Sequence, residues 1–487
     1  LIQNADDQLR ALDRSPIVTA IEKMGGQVTE QFRVGNVIAA NLSVADLREL
    51  LEMYPQIIAA SPAESDETPA SYQVDDVRDR QDSDPFEVAG YDGSGYRIGL
   101  VDTGVYYSHN VFNNPDPIYL LRDCAYSLYS NCSYYPFWPW SYYYNVSDPV
   151  ASHGHGTGMA DILAGNDNGG DLYRGVAPGA LVDSMNVYLN TDHSVLYQSA
   201  VLRAFNYLDA YDDVIVANIA ASENENGTIA LAADDLYDEG VIVIAPVGNI
   251  SSHSARSPAI AHKVLGVGGY YTSSGYDYSP QSGGTNGGGR YKPDISAPTG
   301  IYVAANSGAS NYTYRSGTCP AAAFAGGAAT LLRDYYDYRG WSSDPGAVYA
   351  AMITFGDEGG SDLDDRDGAG DLELGEISNS VWASGIRYID PGESQYVHFY
   401  VGSGACDLRA GIWWAEDYSD SHSMMALYLY QSSTFRASST HPNSVFQKVI
   451  YSSSMGTGWW KIKMYSSTIN YINNIKIHYL IHYRTNC

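Results

Sequence analysis

The sequence predicts an α/β fold built on a doubly wound, mostly parallel β-sheet, with a small α+β unit before it and an antiparallel β segment after it. Short apolar runs typical of buried strands alternate with stretches of helical period, which predicts the parallel sheet. After about residue 383 the helical period disappears, and short strands separated by Ser, Gly and Pro follow. The expected domains are 1–70, 71–382 and 383–487.

The strands of the central sheet are predicted from apolar runs at 97–101, 180–188, 213–220, 241–248 and 262–269. Helical period is clearest between them at 199–211 and 228–240. Strands and helices that alternate in this way form βαβ units, in which helices cover both faces of a parallel sheet.

Residues 1–60 are predicted to form a compact α/β unit. Ser43 and Asp46 form a capping box at the start of an amphipathic helix, and 34–42 and 56–60 flank that helix as strands. The polar, acidic stretch 61–85 that follows is typical of an exposed linker.

The charge balance excludes several classes of partner. The 487 residues contain 27 Lys and Arg against 56 Asp and Glu, for a formal net charge of −29. Such a surface repels phosphate backbones and anionic headgroups, so neither nucleic acid nor a membrane surface is expected as a partner. No apolar run approaches the ~18–20 residues that span a bilayer. The start at Leu1, without Met, suggests a removed export segment, and the protein is expected to be secreted and extracellular.

Five cysteines leave one without a partner if the other four form two disulfides. Cys124 and Cys132 lie close together, and Cys406 and Cys487 bracket the C-terminal β segment. Two disulfides of this kind would leave Cys319 as the free thiol. The alternative is that all five are free, buried thiols.

Four segments carry candidate chemistry at strand ends or helix starts. Asp102 ends the strand RIGLVD, His155 opens a Gly-rich helix, and Asn249 follows the strand VIVIAPVG. Cys319 lies on a Gly-flanked turn, where Pro320 at the first helical position would make Cys319 the cap. Each residue alone is more often structural. Together they supply an acid, a base, an oxyanion donor and a nucleophile.

The order and the sequences of these segments resemble the motifs of the subtilisin-like (subtilase) family of serine peptidases. The matching motifs are LVDTG, HGTGMA, VGN and SGTCPAAAFAGGAATLL, and the blocks GVAPGA and RYKPDISAPTG also fit. The resemblance covers residues ~85–382 and implies a secreted endopeptidase. It implies that His155 acts as base and then acid, that Asp102 orients it, and that residue 319 is the nucleophile. Asn249 and the backbone N–H of residue 319 would hold the oxyanion.

The same resemblance extends to both flanks of the catalytic domain. It implies that the first domain is a ferredoxin-like propeptide, a folding helper that inhibits the cleft, and that 383–487 is a β jelly-roll. The chain would then be a zymogen with its own propeptide as a partner in cis. The propeptide tail, within 61–75, would be the first substrate.

Two departures from the family's pattern concern the nucleophile and the substrate cleft. Cys319 stands where the family has serine, and three origins stay open: an engineered substitution, a natural cysteine variant, and a degenerate protein without activity. A thiol beside a His at a helix start suits thiolate chemistry. In the predicted substrate cleft, Ala220, Ala221 and Ser222 occupy a stretch where the family usually has Gly. The Ser222 side chain would narrow the pocket and favour small residues at the cleaved position.

The resemblance implies that the chemistry needs no cofactor. It also implies calcium as a structural ion, as in other members of the family. The acidic stretch 362–373 places Gly368 at loop position seven rather than six, which disfavours an EF-hand, so no ligands are assigned. Protein or peptide substrates are the expected partners. The aromatic stretch 133–145 and the 43 tyrosines leave self-assembly open. The alternative function is a non-catalytic pseudoprotease with a structural or extracellular assembly role.

Overall fold

The computed structural model describes most of the chain. The described residues are 2–4, 15–32, 37–54, 57–60, 74, 76, 78, 81–113, 115–125, 132, 154–166, 172–188, 196, 198–251, 254–272, 278, 280–285, 289–342, 344–357, 363, 366–417, 421–467 and 472–487. They fall into two compact units, Leu1–Ala70 and Ser71–Cys487. The aromatic stretch 133–145 lies outside the described residues, as does all of 61–75 except Val74.

The N-terminal unit combines one antiparallel sheet with two helices. Its elements are β1 (Ile2–Asn4), α1 (Ser15–Lys23), β2 (Gln27–Phe32), β3 (Val37–Asn41), α2 (Val44–Met53) and β4 (Ile57–Ala60). The strand order is β2-β3-β1-β4, and neighbours are antiparallel. The predicted capping box is confirmed, because Ser43 Oγ accepts from the backbone N–H of Asp46 at 3.1 Å. Ile17, Ile21 and Leu50 form this unit's own small core.

The second unit is built on a seven-stranded parallel sheet. Its strands are β5 (Arg97–Asp102), β6 (Ile118–Asp123), β7 (Leu181–Asn186), β8 (Val214–Ala217), β9 (Ile242–Pro246), β10 (Leu265–Tyr271) and β13 (Ile295–Thr299). The order is β13-β10-β9-β8-β5-β7-β6, and the pairings between neighbours are parallel. This confirms the prediction of a mostly parallel sheet. Periodicity missed the edge strand β6, whose outer side exposes Tyr119 instead of an apolar residue.

Helices cover both faces of this sheet. They are α3 (Asp84–Val88), α4 (His155–Ala164), α5 (Gln198–Leu208), α6 (Thr228–Asp238), α7 (Thr318–Tyr338) and α8 (Pro345–Phe355). One core packs α5 and α6 on one face, while α4, α7 and α8 belong to the core on the other. Small side chains let α7 approach the sheet closely, as at Gly326, where any Cβ would collide with Val216. Two short hairpins complete the domain: β11 (Gly284–Thr285) with β12 (Tyr291–Lys292), and β14 (Ile301–Ala304) with β15 (Tyr312–Arg315).

The chain ends in two four-stranded antiparallel sheets. Their strands are β16 (Ser380–Ile389), β17 (Ser394–Val401), β18 (Cys406–Trp414), β19 (Met425–Gln431), β20 (Thr434–Ser439), β21 (Phe446–Tyr451), β22 (Gly458–Ser466) and β23 (Ile475–Arg484). The orders are β16-β23-β18-β21 and β17-β22-β19-β20. Helix α8 packs against β18 and β23, so the core beneath the parallel sheet continues into these sheets. A buried ion pair between Arg290 and Glu416 also joins the two parts.

Both predicted disulfides are present. Cys124 is bonded to Cys132, and Cys406 to Cys487. Cys319 is the free thiol, as cysteine pairing predicted.

Candidate active site

The candidate site lies where three neighbouring parallel strands end. β5, β8 and β9 are adjacent in the sheet, so their carboxyl ends meet at one edge. Asp102 is the last residue of β5, and Asn249 follows β9 by three residues. The segment that begins at Asn218 follows β8 between them. Residues as far apart along the chain as Asp102 and Asn249 therefore reach one place.

Asp102 holds His155 through two contacts. His155 Nδ1 lies 2.8 Å from Oδ1 and 2.9 Å from Oδ2 of Asp102. Asp102 is fully buried, and its Oδ1 also accepts from the backbone N–H of Thr103 at 2.6 Å. Because Nδ1 is occupied by the carboxylate, Nε2 is the ring nitrogen left to face a second group.

Local backbone geometry presents His155 at the first position of α4. Gly154 caps the helix with φ of 58°, in the left-handed region that a side chain disfavours. The Thr103 hydroxyl accepts from the backbone N–H of Gly156 at 3.0 Å, which ties the helix start to the end of β5. A Cβ on residue 156 would collide with the Gly104 carbonyl, so the helix start requires glycine there. The motifs around Asp102 and His155 therefore fix each other's position.

The electrostatics of the site favour a charged imidazole. Burial by itself lowers the pKa of His155, but the charge of Asp102 and hydrogen bonds with Asp102 and Cys319 outweigh it and raise this pKa to about 10. The contribution of Cys319 to this pKa places its thiol next to the imidazole ring. His155 thus lies between the carboxylate and the thiol, with its side chain 20% exposed.

Cys319 is the second residue of α7 and is partly buried. This corrects the prediction that Cys319 is the cap: the cap is Gly317, with φ of 116°. Since glycine tolerates that backbone conformation, the helix begins two residues earlier than Pro320 suggested. The thiol still lies in the first turn, where the backbone N–H groups have no partners within the helix.

Asn249 is oriented by the residue before the thiol. Its Oδ1 accepts from both the backbone N–H and the hydroxyl of Thr318, each at 3.0 Å. The backbone donor identifies that atom as the carbonyl oxygen, so Nδ2 is the free donor. Nδ2 lies 3.0 Å from where a Cβ on Gly317 would be, and it donates to no group in the described part of the chain. Asn249 therefore aims an unused N–H pair at the start of α7.

The three predicted substrate-binding residues lie beside this centre. Ala220, Ala221 and Ser222 follow β8 along the cleft, and Ala221 pairs with Ser257 in an antiparallel bridge. Ser222 is exposed, and its Oγ accepts from Arg256 Nη1 at 2.7 Å.

Sequence reasoning missed three residues near the thiol. Burial first, and then the charges of Asp102 and Cys319, raise the pKa of Tyr188. Burial and the charges of Tyr271 and Cys319 raise the pKa of Tyr278 to about 12. No motif marks these tyrosines among 43 in the chain. Arg256 is the third of these residues. The only sequence feature that could have drawn attention to it is that basic residues are few in this chain, 27 against 56 acidic ones.

Metal ligands remain unassigned. The stretch 362–373 lies partly outside the described residues, so calcium there stays a prediction. Among the residues that the structure describes, one cluster has metal-ligand spacing: Cys406, Asp407 and Cys487. Its two sulfurs are joined to each other, so they offer no thiolate. No helix in the described ranges is long and apolar enough to cross a bilayer.

The sequence is similar to those of known peptidases. The sequence pattern of the subtilase family matches residues 93–370. Subtilisin DY from Bacillus licheniformis is 25% identical over 260 residues, which cover 52% of this chain and 82% of that protein. Thermitase from Thermoactinomyces vulgaris is 26% identical over 242 residues, or 50% of this chain and 76% of that protein. A thermophilic serine proteinase from Bacillus sp. (strain AK1) is 26% identical over 240 residues, or 49% and 52% of the two chains.

Proposed function

This chain belongs to the subtilase family, whose members are serine-type endopeptidases, and we propose that it cleaves peptide bonds with Cys319 in place of the family's serine. The observation that carries the proposal is the position of His155. Its ring contacts the buried carboxylate of Asp102 and the thiol of Cys319 at the same time. Acyl transfer requires a nucleophile that contacts a base, and a base that is oriented by an acid.

The proposed reaction begins with attack by the Cys319 sulfur on the substrate carbonyl carbon. The thiolate form is stabilised by the protonated ring of His155, whose charge Asp102 offsets. The carbonyl oxygen gains the negative charge and would accept from Asn249 Nδ2 and the backbone N–H of Cys319. When the C–N bond breaks, His155 gives its proton to the leaving amine, and a thioester remains on Cys319.

Water completes the cycle. Neutral His155 takes a proton from the water as its oxygen attacks the thioester carbonyl, and the C–S bond then breaks. The products are the free acid and Cys319 paired again with a protonated ring. Because the surrounding hydrogen bonds suit a hydroxyl nucleophile, we expect amide hydrolysis to be slow and activated esters to acylate Cys319 more readily.

The wider proposal is a secreted zymogen. The element order β1-α1-β2-β3-α2-β4 and antiparallel pairing of the N-terminal unit are those of a ferredoxin-like unit, which supports the propeptide assignment. The two disulfides support an oxidising, extracellular compartment. The paired antiparallel sheets support the jelly-roll assignment for 383–487.

A non-catalytic assembly role is the second candidate, and exposed aromatic side chains on the C-terminal sheets favour it. Tyr400 and Trp459 lie on adjacent strands with ring centroids 5.6 Å apart, and their side chains are 56% and 59% exposed. Large exposed rings of this kind often bind other molecules.

The test compares three forms of the full chain: the native chain, Cys319→Ser and Cys319→Ala. We expect the serine form to cleave itself within 61–75 and to digest denatured protein, and the alanine form to stay intact. Folding of each form is checked by its far-UV circular dichroism and its two disulfides. A folded serine form that cleaves neither itself nor denatured protein would reject the peptidase, and its assembly into oligomers would support the second candidate.

A further inference from the structure

Arg256 lies at the floor of the candidate cleft, and we infer that it makes the enzyme prefer an acidic side chain on the residue before the cleaved bond. The inference rests on the proposed peptidase function and names its substrate class.

The segment that carries Arg256 closes the gap between the two walls of the cleft. Ser257 exchanges both backbone hydrogen bonds with Ala221, at 2.8 and 3.0 Å. On the other side, the backbone N–H of Arg256 donates to the Val247 carbonyl at 2.9 Å. One wall follows β8 and the other follows β9, so 256–257 forms a floor between them.

The Arg256 side chain runs along this floor past the catalytic centre. Its Cγ lies 2.7 Å from where a Cβ on Gly248 would be, so it occupies the space that glycine leaves open beside Asn249. Its Nη1 then donates to Ser222 Oγ on the opposite wall. Gly248 itself donates to the Thr318 hydroxyl at 3.1 Å, next to Cys319. The guanidinium therefore lies across the floor of a pocket between Gly248 and Ser222.

The charge of Arg256 is not neutralised by any described carboxylate. Several other arginines of this unit pair with acids, as Arg290 does with Glu416 and Arg97 with Asp183. Arg256 is half-buried, and the side-chain partner that the structure gives it is the neutral Ser222 hydroxyl.

A substrate carboxylate would supply the missing partner. A guanidinium has five N–H donors, and one hydroxyl leaves most of them for a bidentate acid. A basic side chain in the same pocket would be repelled, and a large apolar one would bury the charge. This inference differs from the sequence-based expectation of small residues, which stays a prediction, because Ser222 also holds the Arg256 side chain.

The experiment measures kcat/KM of the full-length Cys319→Ser form on fluorogenic peptides that differ at one position. Glu, Gln, Leu or Lys precedes the cleaved bond, and Glu against Gln isolates the charge. A charge-assisted hydrogen bond predicts a Glu preference of roughly tenfold to a hundredfold. The preference should shrink with added salt because the pocket is open to solvent. Arg256→Gln should bring the ratio close to one, and Arg256→Lys should keep part of it.

Arg436→Gln is the matched control, because it removes the same charge from an exposed site on the C-terminal sheets. It should leave the Glu to Gln ratio unchanged. A ratio of one or less before substitution, or one that Arg256→Gln does not alter, would overturn the inference while leaving the peptidase proposal intact.

If no peptide is cleaved, the peptidase proposal fails, and the native thiol still tests the pocket. Peptidyl chloromethyl ketones ending in Glu or Gln alkylate Cys319 at rates that mass spectrometry can follow. Faster alkylation by the Glu reagent, lost in Arg256→Gln, would support an acid-binding pocket. Equal rates, or no alkylation by either reagent while iodoacetamide reacts, would count against it.

Discussion

Nδ1 of His155 lies 2.8 and 2.9 Å from the two carboxylate oxygens of Asp102, so a buried acid contacts the ring through both of its oxygens. This contact fixes the orientation of the imidazole ring and stabilises its positive charge, and two predictions follow from it.

Asp102→Asn should lower the pKa of His155 from about 10, because the charge that raises it is removed while the shape is kept. The ring titration can be followed by NMR, with the signal of His155 assigned through its loss in His155→Gln. Asp390→Asn, an exposed acid on the C-terminal sheets, is the control and should leave the midpoint in place. An unchanged midpoint in Asp102→Asn would contradict the electrostatic role of this carboxylate.

The same pair makes stability depend on pH. The folded pKa of His155, about 10, is above its ordinary value of 6.5, so the pair's contribution is complete below pH 6.5. It is lost as pH rises through about 10. Urea unfolding at a series of pH values should therefore show the native chain's advantage over His155→Gln shrinking across this range. An advantage that grows with pH would reverse the sign and refute the assignment.

Asn249→Ala in the Cys319→Ser background should lower kcat by about 10²–10³-fold with little change in KM, because Nδ2 acts on the oxyanion. Thr318→Val should cost less, since the backbone N–H of residue 318 still holds Oδ1. Asn113→Ala, at an exposed position outside the site, is the control. A loss confined to KM would instead place Asn249 in ground-state binding.

Glu416→Gln should destabilise the protein by about 3–5 kcal/mol, because it removes the negative charge that offsets the buried guanidinium of Arg290. The two side chains are 0% and 1% exposed and lie 2.6 Å apart. Glu376→Gln breaks a comparable pair with Arg484, but those side chains are 37% and 51% exposed, and it should cost less than ~1 kcal/mol. Denaturant unfolding compares the two. Equal losses would show that burial of the pair does not govern its contribution.

Alkylation of the denatured, unreduced protein should modify one cysteine per chain, at position 319. The disulfides Cys124–Cys132 and Cys406–Cys487 protect the other four. Peptide mapping identifies the modified residue, and reduction before alkylation should raise the count to five. Modification at Cys406 without reduction would contradict the pairing.

Much of the fold could be predicted because buried strands and amphipathic helices have characteristic patterns of apolar residues in the sequence. The runs that became β5, β8 and β9 are apolar since both faces of the sheet are covered. β6 escaped because an edge strand is partly exposed and loses that signal. The predicted start of α7 was two residues too late because Pro320 is a weaker guide than the backbone freedom of Gly317.

The sequence by itself determined which chemical groups the chain carries, their order and their motifs, down to the cysteine at position 319. Only the tertiary structure decided their partners: Thr318 orients Asn249 across 69 positions, and Arg256 reaches Ser222 across 34. Strand order in the sheet brings such groups together, and it depends on long-range packing that no local period encodes. The charge of Arg256 was visible from the start, but its place between two walls of the cleft was not.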